Sequence, residues 1–183
     1  MPRRSLSFVF TLILQTVWAA HASAHEFNLL LLAPEAATQA ELDSMRAAFL
    51  IASHERDDHP DETSEGHLGG LDVQLTLARV DEAASADATD FVVAPFAAPG
   101  DPRVLVRAAV SDAVIVDATA IAQVEPEERR DLAPFADRFQ TETGRTPDDV
   151  ALGAYRAARV VDLIVRRFGS VDDRDALRRA LGP

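Results

Sequence analysis

The chain is 183 residues long, carries no cysteine, and has a formal charge of −12 with arginine at all 18 Lys/Arg positions. Without thiols there is no disulfide, thiolate nucleophile or cysteine-held metal cluster, and without lysine there is no Schiff-base chemistry. An acidic chain lacking a basic face does not neutralise a phosphate backbone, so no nucleic-acid partner is expected.

The first residues, "MPRRSLSFVFTLILQTVWAAHASA", place Arg3 and Arg4 before an apolar run that ends in Ala22-Ser23-Ala24. That is the three-part pattern of a cleaved secretory signal. The expectation is a signal peptide over 1–24, a mature chain from His25 and a periplasmic location. The apolar run is shorter than the ~20 residues a spanning helix needs, so no stable membrane insertion is expected after cleavage. Two arginines and no acid leave with the signal, taking the charge from −12 to −14. Residues 25–183 suit a single domain with a sizeable core.

"FNLLLLAP" (27–34) is a continuous apolar run closed by proline, the habit of a strand buried on both faces of a parallel sheet. Thr38 and Glu41 form a T-x-x-E capping box, and Leu42, Met45, Phe49 and Ala52 recur at helical spacing to about His54. Leu71, Val73, Leu75 and Leu77 alternate along a second strand entered through Gly69-Gly70. "DFVVAPFA" (90–97) is a third strand, Asp101-Pro102 opens a helix through Val110, and "DAVIVDAT" (112–119) is a fourth strand.

Beyond Thr119 the pattern is helical. Pro126 and Pro134 each open a short helix, the second carrying Phe135 and Phe139 and stopping at Gly144. From Thr146-Pro147-Asp148-Asp149 runs the strongest helix, with Val150, Ala154, Ala157, Val161, Ile164 and Phe168 in one apolar stripe. Ser170 is the expected cap of a last helix whose Leu177 and Leu181 face inward. The fold class is therefore α/β, a mostly parallel sheet of about four strands flanked by helices, with a helical C-terminal part.

Between the first helix and the Gly-Gly turn lies "HERDDHPDETSEGHLGG" (54–70). His54, Asp58, His59, Asp61 and His67, with Glu62 and Glu65, supply nitrogen and oxygen ligands for a divalent metal. The spacing is not that of a known helical site, because Asp58 stands where H-E-x-x-H needs histidine and Pro60 stops a helix. The other reading is a solvated acidic insertion. His25, as the new amino terminus, could chelate a metal together with another histidine, and such a site would weaken in acid because neutral imidazole is the ligand.

Two segments resemble the amino-acid-binding type I periplasmic binding proteins that serve ABC transporters. "MRAAFLIASHERD" with "HLGGLDVQLTLARVD" is similar to that family's first helix, Gly-Gly turn and second strand; Phe135 to Leu181 is similar to its closing helices. The resemblance implies a substrate-binding protein, and the length implies roughly one lobe of the usual two. "APFAAPGDP" (94–102) has no hydroxyl where the family binds an amino acid's carboxylate, so no amino-acid site is carried over.

Ligands of open α/β sheets sit beyond the strand carboxyl ends, which points to Pro34, Pro95, Phe96, Asp117 and Thr119. No nucleophile with a base stands out, and the acidic pairs Asp148-Asp149 and Asp172-Asp173 stand at helix starts, where acids favour the dipole. The expected function is therefore a non-catalytic, exported small-ligand binder or accessory subunit. The alternative is a metal-handling protein, or an accessory to a periplasmic cofactor-dependent oxidation system, using the 54–67 loop. Expected partners are a small molecule, a periplasmic or membrane protein, or a second copy that completes the missing lobe.

Overall fold

The four consecutive leucines at 29–32 lie in the strand with the most sheet around it. In the computed structural model, which describes residues 26–55, 66–82, 89–124 and 132–182, β1 (Glu26–Ala33) is the middle of a five-stranded sheet. Phe27, Leu29, Leu31 and Ala33 face one side and Leu30 and Leu32 the other, all essentially inaccessible to water. Only Glu26 and Asn28, at its amino end, are exposed.

The chain leaves β1 through α1 (Gln39–His54), started by the expected capping box. Thr38 Oγ1 accepts from Glu41 N–H while the Glu41 carboxylate accepts from Thr38 N–H at 2.7 Å. After α1 come β2 (His67–Leu68) and β3 (Leu71–Arg79), an antiparallel hairpin turned by Gly69 and Gly70, both with positive φ. Two consecutive residues with positive φ suit a two-residue hairpin turn.

β3 pairs parallel to β1, Phe27 opposite Val73 and Ala33 opposite Arg79. β4 (Phe91–Ala94) then takes the other side of β1, α2 (Pro102–Ser111) crosses over, and β5 (Val114–Asp117) pairs parallel to β4. The strand order is β2-β3-β1-β4-β5. The sheet thus has one strand beyond the four legible in the sequence, because a two-residue strand has no periodicity to read.

Four helices follow: α3 (Ala118–Val124), α4 (Ala133–Thr143), α5 (Asp149–Phe168) and α6 (Arg174–Leu181). With α1 they cover one face of the sheet. Phe135 and Phe139 are buried there, and Phe135 stacks on Tyr155 with centroids 4.0 Å apart. The opposite face is covered by α2, whose Val104 and Ala108 pack on Leu30, Leu32, Val92 and Ala94.

The helix expected to open at Pro126 falls outside the described residues; α3 begins directly after β5, where the Asp117 carboxylate accepts from Thr119 N–H and Ala120 N–H. Two local expectations change. The cap of α6 is Asp173, which accepts from Ala176 N–H, while Ser170 is turned into a local bond with Asp172. Phe168 ends the α5 stripe but is 40% exposed.

Candidate functional site

Parallel strands bring their carboxyl ends to one side. The switch point falls between β1 and β4, since the chain goes from β1 to β3 on one flank and returns to β4 on the other. Pro34 and Pro95 stand at that point, each in contact with its surroundings. The Pro34 carbonyl accepts from Ala37 N–H in a tight turn. Gly153 of α5 sits on Pro95 so closely that a β-carbon there would lie 3.2 Å from Pro95 Cβ. Phe96 packs against the cluster beneath α2. Asp117 stands opposite Ala94, the residue before Pro95, and Ala118 N–H donates to Ala97 C=O, so Pro95 and Phe96 lie alongside Asp117 and Thr119 where β4 and β5 end.

Asp117 and Thr119 meet in a cleft of about 310 Å³ beside β5. One wall is the Ala98–Gly100 turn with Asp101, Val104 and Leu105 of α2. The other is Arg178, Leu181 and Gly182 at the carboxyl end of the chain, and Ala113, Ile115 and Asp117 form the floor. The walls are chiefly aliphatic, with the Thr119 hydroxyl, the Arg178 guanidinium and two carboxylates as the polar groups.

Both carboxylates are committed to the backbone. Asp117 caps α3, and Asp101 caps α2 through Arg103 N–H at 2.9 Å. The guanidinium of Arg103 also bonds Asp101, and with that N–H it holds the Asp101 carboxyl below its ordinary range. Arg178 reaches Asp112 and Asp175. Asp101 therefore stays ionised at neutral pH, and the cleft presents an apolar lining with fixed charges at its rim. Such a site suits a small, partly apolar molecule carrying one or two polar groups.

Of this cleft the sequence indicated only Asp117 and Thr119. Leu105, Arg178 and Leu181 were read as helix residues, and nothing local marks them as neighbours of Asp117. The Gly100-Asp101-Pro102 helix start was the one usable signal, since it places a tight turn at a strand's carboxyl end.

Of the proposed metal ligands, Asp58, His59, Asp61 and His25 lie outside the described residues. His54 is exposed at the end of α1, and its ring lies against Gly66, one residue before His67. His67 Nε2 is 2.8 Å from an Asp72 carboxylate oxygen across the β2–β3 pair. Among the described residues no group of three or more such ligands is assembled. No helix among them is long and apolar enough to cross a membrane. No family model, no curated protein and no solved structure matches this chain.

Proposed function

We propose that this protein is an exported, non-catalytic binder of a small ligand, built on a shortened, single-lobe version of the type I periplasmic binding-protein fold. The supporting observation is the cleft at the carboxyl end of β5, where open α/β sheets hold their ligands. Its volume of about 310 Å³ lies at the lower bound for small-molecule sites. A ligand there would rest on Ile115 and Leu105, with Thr119 and Arg178 supplying hydrogen bonds. With one lobe, the ligand is held in an open trough rather than between two closing halves, so a second surface is needed for tight retention. An accessory role beside a complete binding protein uses the same trough.

The test is ligand-observed NMR of the protein against amino acids, short organic acids and sugars, with Ala98→Trp as the control. Ala98 is an exposed residue on the cleft wall, so an indole there fills the trough without disturbing the core. Saturable binding that Ala98→Trp abolishes supports the reading. Binding that survives in the variant, or its absence across the panel, rejects this cleft as the site.

A metal-handling role keeps one specific support, the approach of the His54 ring to the residue before His67, which carries Asp72 beside it. Both histidines flank the acidic insertion, so the fold places its two ends together. Calorimetric titration of chelator-stripped protein with copper, zinc, manganese and calcium, repeated with a His54→Ala/His67→Ala variant, decides this reading.

A further inference from the structure

A parallel sheet must end somewhere, and its last strand exposes a row of backbone donors and acceptors. Among the described residues no strand lies beyond β5. Val114 N–H donates to Asp90 C=O at 2.8 Å, so Val114 and Val116 turn their peptide groups towards β4. Strand alternation then turns the N–H and C=O of Ile115, the C=O of Ala113 and the N–H of Asp117 outwards. No hydrogen bond among the described residues uses these four groups.

The same three residues floor the cleft, which therefore straddles the edge of the sheet. One wall is α2, on the face to which Ile115 and Ala113 point, and the other is the end of α6, on the opposite face. α2 turns Leu105, Val106 and Val110 away from the sheet, and Leu105, 45% exposed, forms a lip of the cleft. Walls rising on both faces admit a single extended chain, whereas the edge of another layered domain carries helices of its own against them.

We infer that the ligand of this cleft is a short peptide, bound extended and antiparallel to β5 as an added strand. The inference rests on the small-ligand reading and names the class of ligand. In this mode main-chain hydrogen bonds supply affinity and the pockets for alternate side chains supply preference. The middle residue of a tripeptide stands opposite Ile115, gives its N–H to Ile115 C=O and accepts Ile115 N–H on its own C=O. Its side chain lies on the Ile115 side, against Val104 and Leu105, while the first and last side chains turn to the Leu181 side. An aliphatic middle residue suits that lining.

Size and charge fit. A residue of a layered sheet occupies roughly 160 Å³, from a ~3.3 Å rise, a ~4.8 Å strand spacing and a ~10 Å layer depth. A cleft of about 310 Å³ thus seats about two residues, the scale of a di- or tripeptide. Asp117 stands at one end of the edge, where its carboxylate accepts from two N–H groups of α3 and pairs with no guanidinium among the described residues. Arg178 stands at the other end, bonded to Asp112. An antiparallel peptide sets its ammonium at Asp117 and its carboxylate towards Arg178, and a parallel one reverses both.

Calorimetric titration with the tripeptides Ala-Leu-Ala, Ala-Val-Ala and Ala-Phe-Ala tests this, and altering the peptide rather than the protein leaves folding untouched. Binding is expected, and Ala98→Trp should abolish it. Methylating the middle amide nitrogen removes the N–H given to Ile115 and should weaken binding by about tenfold or more. Methylating the last amide nitrogen, whose N–H points away from β5, should change it by less than about threefold. Acetylating the amine should weaken binding as well, since Asp117 then faces no cation. Equal effects of the two methylations, or binding that Ala98→Trp leaves intact, overturn the inference. If amino acids, organic acids or sugars occupy the cleft and no tripeptide does, the inference falls and the small-ligand reading stands. Absence of binding of either kind ends both.

Discussion

The carboxylate of Asp162, buried in the middle of α5, accepts a hydrogen bond from Gly69 N–H at 2.9 Å and so fastens the β2–β3 turn to the longest helix. Arg166, one helical turn on, pairs with the same carboxylate. The contact joins two positions 93 residues apart.

Replacing Asp162 with Ala leaves the Gly69 N–H without this acceptor, and an unsatisfied buried donor costs about 1–3 kcal/mol. Asp162→Asn keeps an acceptor oxygen and should retain most of that stability. Urea unfolding of the two variants measures the difference.

Gly69 and Gly70 should respond unequally to alanine. Both have positive φ, but a β-carbon on Gly69 would lie 2.6 Å from Val165 Cβ and the Arg166 backbone, whereas nothing stands within 4 Å at Gly70. Gly70→Ala carries only the left-handed backbone cost of about 1–2 kcal/mol. Gly69→Ala adds a clash with α5 of roughly 1–3 kcal/mol more. Equal destabilisation of the two would mean that the turn does not touch α5.

Glu55, at the end of α1, accepts from the Tyr155 hydroxyl at 2.6 Å and from Arg159 at 2.7 Å. Tyr155→Phe removes one of these bonds and should cost about 0.5–1.5 kcal/mol, with the ring stack on Phe135 preserved. Glu55→Ala removes both and should cost more. In a double-mutant cycle the two changes should be non-additive, because they share one carboxylate.

Acid should weaken the fold through three carboxyls held below their ordinary values. Glu41 is lowered by the Thr38 N–H and hydroxyl, Glu82 by the Arg79 N–H and guanidinium, and Asp101 by the guanidinium and N–H of Arg103. Between the folded and unfolded values the unfolded chain binds more protons, so stability rises with pH in that interval. Their contribution is complete above the unfolded values of 4.5 for the glutamates and 3.8 for Asp101, and it is lost as pH falls through the lower folded values. Urea midpoints at about pH 6 and about pH 3 should fall in that order, and Glu41→Gln should flatten the fall.

Leu31→Ala in the central strand should cost about 2–5 kcal/mol, since Leu31 is fully buried beneath α1 and α5 and a cavity there has no route to collapse.

What was legible in the sequence was local. The Thr38–Glu41 box, the Asp101-Pro102 start, the Gly144 stop and the alternation of Leu71, Val73 and Leu75 each act within a turn or two of chain, so neighbouring residues suffice to reveal them. The features missed were short or non-local. β2 exists only because Leu68 finds Leu71 across a tight turn. α3 forms because Asp117, which ends a strand, also caps a helix. That Gly153 lets α5 approach Pro95 closely is likewise a contact between distant segments.

By itself, then, the amino-acid sequence determined the α/β class, the acidic and thiol-free chemistry, and the inward side of α1, of β3 and of most of α5, because hydrophobic periodicity is written residue by residue. Tertiary structure alone decided that Arg178 and Leu181 stand beside Asp117, that β5 rather than β4 is the outer strand, and that the apolar stripe of α2 points away from the core. Those facts depend on strand order, and strand order is set by pairings between segments whose separation along the chain leaves no mark in either one.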